Sequence, residues 1–103
     1  MKIIKWLAEN IQEEINDAEK YAKKAQECKE AFPDMVDTFL TLSRQEVNHA
    51  NMLHGLAEKT IKDYRAAKGE PPAPMQAIYD WEHEKMIDGM TRVKVLQEMA
   101  AAK

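Results

Sequence analysis

The sequence predicts an all-α fold of three helices, and three observations carry that prediction. No segment alternates apolar and polar residues at period two, and β-formers are sparse, with two Phe, two Trp and three Tyr in 103 residues. Apolar residues instead recur at spacings of three and four over long stretches. Helix breakers cluster in only two places, "FPD" at 32–34 and "KGEPPAP" at 68–74. Helices are therefore expected at about 2–30, 34–68 and 75–101, within a single domain covering residues 1–103.

In the first helix Ile4, Leu7, Ile11, Glu14, Ala18, Tyr21, Ala25 and Cys28 follow one another at alternating steps of three and four, the seam of a packed helix. Glu14 stands where the pattern asks for leucine. Pro33 and Asp34 end this helix and start the next, because proline suits a first helical turn and aspartate favours its positive end.

The second helix carries Met35, Phe39, Leu42, Glu46, His49, Leu53, Leu56 and Thr60 on one seam. Glu46 and His49 both interrupt its apolar stripe. His54 falls off the centre of that seam and has Asn51, not a carboxylate, three positions before it, so it is expected to be a partly exposed histidine.

After the rigid break, the third helix places Met75, Ile78, Tyr79, Glu82, Met86, Gly89, Met90, Val93 and Leu96 on its apolar side. Glu82 sits near the centre of that side and is a further candidate ligand. "DWEHE" at 80–84 reads first as a charged helix turn at a subunit contact, with Trp81 as an anchor; Asp80 and His83 also repeat the acid-x-x-His spacing of a secondary metal site. The methionines at core spacing read as packing.

A carboxylate on an apolar seam costs several kcal/mol unless it is paired, hydrogen-bonded or bound to metal. Neither of the first two seams offers Lys or Arg as a partner, which makes a cation the natural candidate. Glu46 and His49, three apart on a helix, project to one side and can reach one ion, and carboxylate with imidazole suits iron, manganese or zinc. In an antiparallel hairpin Glu14 lies about 24 Å from the turn, Glu46 about 18 Å and His49 about 22 Å, level to within roughly one helical turn. Glu82 lies only about 10 Å along the third helix while Glu46 is about 33 Å along the second, so a third helix that packs straight back leaves Glu82 away from the others.

Glu14 and Tyr21 in "EINDAEKY", followed by "EVNH" on the second helix, together resemble the ferritin-like superfamily of ferritins, bacterioferritins and rubrerythrins. In that superfamily a four-helix bundle holds two iron or manganese ions, with a Glu from each of two helices and a Glu-x-x-His from each of the other two. The resemblance covers residues 4 to about 60, and a single chain supplies half of such a site. The architecture is most similar to that of the encapsulated ferritins, in which two hairpins pair about a twofold axis around a di-iron ferroxidase site. Carried over, the resemblance implies a homodimer or higher homo-oligomer whose four-helix bundle is completed by dimerisation. Glu14, Glu46 and His49 of each chain would be metal ligands, and Tyr21 would hydrogen-bond a ligand or supply an electron; an aromatic core residue is an equally weighted account of Tyr21.

The function this implies is oxidation of Fe(II) by dioxygen or peroxide, in iron handling or protection from oxidative stress. Peroxide reduction as in rubrerythrins is the alternative within the same chemistry, with its electrons coming from another protein because the chain has no rubredoxin cysteines. A metal-free helical assembly subunit is the alternative outside it. The C-terminal "LQEMAAAK" contains nothing recognisable as a shell-docking peptide, which argues against a shell partner.

Composition narrows the remaining classes. A net charge of −3 with 32% charged residues leaves no basic field for nucleic acid or anionic lipid. The apolar run at the N-terminus is too short for a signal peptide, no segment is long enough for a membrane span, and the single cysteine excludes an intrachain disulfide framework. The expectation is a cytoplasmic protein.

Overall fold

A computed structural model describes residues 2–102, and within them the chain forms three long helices, α1 (Lys2–Glu27), α2 (Val36–Lys68) and α3 (Ala73–Ala101). Pro33–Met35 forms a 3₁₀ turn that leads into α2. The expected boundaries shift by two or three residues. α1 stops at Glu27 because residues 28–31 tighten into turns, with the Phe32 amide donating to the Cys28 carbonyl at 2.9 Å. α3 starts two residues early because Pro74 falls in its first turn, where a proline lacks no needed hydrogen bond. Gly69 ends α2 at φ 81°, a conformation open to glycine at little cost.

α1 and α2 form the antiparallel hairpin, and α3 returns parallel to α1. Ile4 and Leu7 of α1 meet Ala57 and Ile61 of α2 near Tyr79 of α3, while Ala25, Leu40 and Ala100 meet at the opposite end. Between them Ile11, Ile15, Ala18, Ala50, Met86 and Val93 make the central core. Ser43 is fully buried there; its hydroxyl donates to the Ala18 carbonyl at 2.7 Å and accepts from Gln97 Nε2 at 2.9 Å, so one side chain ties all three helices at mid-height. Cys28 is buried as an apolar filler.

The seams sit differently from the sequence expectation. On α1 the buried line runs through Ile15 and Ala22, and Glu14 and Tyr21 flank it half-buried. On α2 the buried line is Leu40, Ser43, Ala50, Ala57 and Ile61. It is rotated by about one residue from the expected seam, whose Met35 and Leu56 are exposed. The physical reason is size. Ser43, Ala50 and Ala57 let α2 approach the alanines of α1 closely, so the bulkier Phe39, Leu42, Leu53 and Leu56 are left on a flank. The same rotation turns His54 inward, to 18% side-chain exposure.

Candidate metal centre

Glu14 enters this flank from α1, and Glu46 and His49 enter it from α2. Each offers a ligand atom within 4.8 Å of the other two. His49 Nδ1 lies 3.5 Å from Glu14 Oε2 and 3.7 Å from Glu46 Oε2. Among the described residues neither carboxylate has a lysine or arginine in ion-pair reach. Glu14 Oε2 is buried and lacks an aligned hydrogen-bond donor, since the His49 contact is long and out of line. The carboxylates are mostly covered, whereas the His49 side chain is 51% exposed. The group therefore opens to one side.

The carboxylates of the cluster repel one another. The Glu46 carboxyl is held above its ordinary range, first by hydrogen bonding to Glu14, then by burial and by the Glu14 charge, against a smaller opposing pull from His49. Two carboxylates that crowd one another around an orphaned oxygen, beside an imidazole, form a donor set that a divalent iron, manganese or zinc ion fits.

The raised Glu46 value has a pH consequence for the metal-free protein. The folded state binds this proton more tightly than the unfolded state does, so stability falls as pH rises from the ordinary carboxylate value through the raised one. Thermal unfolding in chelator across that window is expected to show this fall, and Glu46→Gln to flatten it.

The other candidates are not among the three converging donors. Glu82 is not brought to the cluster; it pairs with Lys85 at 3.5 Å and lines a small cavity with His54 and His83. Tyr21 stacks on Phe39 with ring centroids 6.4 Å apart, and its hydroxyl has no hydrogen-bond partner among the described residues. Asp80 accepts a hydrogen bond from Gln76 at 2.9 Å. His83 stacks on His54 at 4.9 Å with ring planes 7° apart, and on Tyr79 at 6.1 Å. Face-to-face imidazoles point their nitrogens along parallel planes rather than toward one point, so this pair serves as packing between α2 and α3. The pairing was not visible in the sequence, because it depends on the rotation of α2 that turns His54 inward.

Among the described residues no helix is long and apolar enough to cross a membrane. The family model described as Rubrerythrin matches residues 5–100. No curated protein and no solved structure matches the chain.

Proposed function

The chain belongs to the rubrerythrin family of the ferritin-like superfamily, an iron-binding family, and from that premise we propose that it is a ferroxidase whose site forms between two copies. The observation that carries the proposal is the convergence of Glu14, Glu46 and His49 within 4.8 Å on a flank that is open on one side. Three donors are half of the ligand set that two irons take in this superfamily. The exposed Met35 and Leu56 lie on the same α2 flank and are apolar surface that a second hairpin would cover. A twofold axis beside His49 doubles the donors to four carboxylates and two imidazoles.

Bound iron supplies the one-electron chemistry, Fe(II) passing its electron to dioxygen or peroxide and becoming Fe(III). The chain's own residues do the rest. Glu46, whose carboxyl is held above its ordinary range by Glu14 and by burial, would be a carboxylate ligand, and a cation there would relieve the crowding of the two acids. Glu14 would offer its unpartnered oxygen as a ligand. His49 would supply a nitrogen ligand from the half-exposed rim of the group. Carboxylates accommodate both iron charges because they shift between one and two bonding oxygens without moving the helices. Tyr21 contributes aromatic packing on Phe39 beside the site.

Peroxide reduction, which the likeness to rubrerythrins implies, is the second reading within the same chemistry. The test is the rate of Fe(II) oxidation under air against consumption of added peroxide. Oxidation well above buffer with dioxygen alone supports a ferroxidase. Oxidation that waits for peroxide assigns peroxidase chemistry instead, and neither reaction would refute the redox reading.

A further inference from the structure

We propose that the outer flank of α3 is a self-association surface, on which α3 of a second copy lies antiparallel. Ile78, Trp81, Lys85, Asp88, Arg92 and Val95 follow one another at steps of three, four, three, four and three, a continuous seam about one residue round from the buried face of α3. Its apolar members are open to solvent, Ile78 at 54%, Trp81 at 58% and Val95 at 50% exposure. Ile78 also borders an open groove of about 530 Å³ between α1 and α3. The flank lies across the buried line of α1 from Glu14, so it is separate from the metal-bearing flank, and the inference stands apart from the iron reading.

The occupant follows from the order of the charges. The antiparallel register that overlaps the two α3 helices along their length sets Ile78 against Val95, Trp81 against Arg92, and Lys85 against Asp88. Each pair occurs twice about the twofold. Lysine meets aspartate, guanidinium meets indole, and aliphatic meets aliphatic. A parallel pairing sets Lys85, Asp88 and Arg92 each against its own copy. Moving the antiparallel register one step so that Ile78 faces Met99 sets Lys85 against Arg92 and Asp88 against itself. The seam is thus self-complementary in its full-overlap register, the property a twofold contact between identical chains requires.

Partners for these groups are half-supplied within one chain. Lys85 Nζ sits 4.0 Å over the Trp81 ring and 3.5 Å from Glu82, on the other side of it from Asp88, and Arg92 reaches Glu19 only at 3.8 Å. Asp88 has no ion-pair partner among the described residues.

The experiment is sedimentation velocity on the full chain carrying Glu46→Ala, in chelator, which removes any contribution of metal to association. This protein is expected to be a dimer. Adding Asp88→Lys is expected to weaken association at least tenfold, and adding Lys85→Asp to that variant to restore it, because the swap exchanges the two charges across the axis. Val95→Glu is expected to dissociate the dimer independently, and circular dichroism shows each variant to be folded. A monomer before any change to α3, an Asp88→Lys variant that associates as before, or a charge swap that fails to restore association would each overturn the proposal.

Discussion

Glu46→Ala is expected to lower bound iron from about one per chain to background, and to reduce Fe(II) oxidation at least about 100-fold, to the rate of iron in buffer. Glu46 is one of the three donors that lie within 4.8 Å of one another, and the one whose carboxyl Glu14 crowds. Removing it leaves one carboxylate and one rim imidazole per chain, too few to hold an ion against water. The fold should not suffer. The carboxylate removed is the one that Glu14 crowds, so the metal-free variant is expected to unfold at a temperature equal to or above that of the parent at neutral pH. Iron analysis with parallel thermal unfolding separates lost binding from lost structure. Retained iron in a folded Glu46→Ala protein would remove the cluster from the account.

Gly89→Val is expected to destabilise the protein by about 2–3 kcal/mol, lowering its melting temperature by roughly 10 °C or more. Even a Cβ at position 89 would lie 2.7 Å from Ile15 Cγ2. Ile15 is fully buried and its branched side chain has little room to turn, so α3 must move away from α1 instead. Gly89→Ala meets the same contact, offset by about 1 kcal/mol of helix propensity, and is expected to cost less. Thermal unfolding of both variants measures the difference. Gly89→Val at parental stability would show that α3 does not approach α1 this closely.

Glu14 shows how much of the fold and site the sequence carried. The level of Glu14 with Glu46 and His49 was readable because it needs only the helix rise and the position of the Pro33 break, and the three residues do converge. What spacing alone could not say was which side of each helix is innermost. A three-and-four rhythm runs through Phe39, Leu42, Leu53 and Leu56 as well as through Leu40, Ser43, Ala50 and Ala57. The small residues win the interior because two helices that meet through alanine and serine pack closer than two that meet through leucine. Phe39 and Leu53 on the losing stripe then pack half-buried against the edge of the core, and Leu56 is exposed. The candidate site lies on that stripe, half-covered, as a site completed by another copy requires.

His54 and Glu82 follow from the same rotation. With α2 turned by one residue, His54 faces α3 and meets His83, while Glu82 is held beside them by Lys85. Glu82 was a candidate because a carboxylate near the middle of an apolar side reads as a ligand. A lysine three residues on supplies its counter-charge within α3.

Half of a two-iron centre per chain is the arrangement proposed for Glu14, Glu46 and His49. The most direct measurement is Mössbauer and electron paramagnetic resonance spectroscopy of protein loaded anaerobically with Fe(II) and then oxidised. About one iron per chain, in a spin-coupled ferric pair without the resonance of isolated ferric ions, is the predicted result. Isolated ferric ions on single chains, or no iron above background, would contradict it.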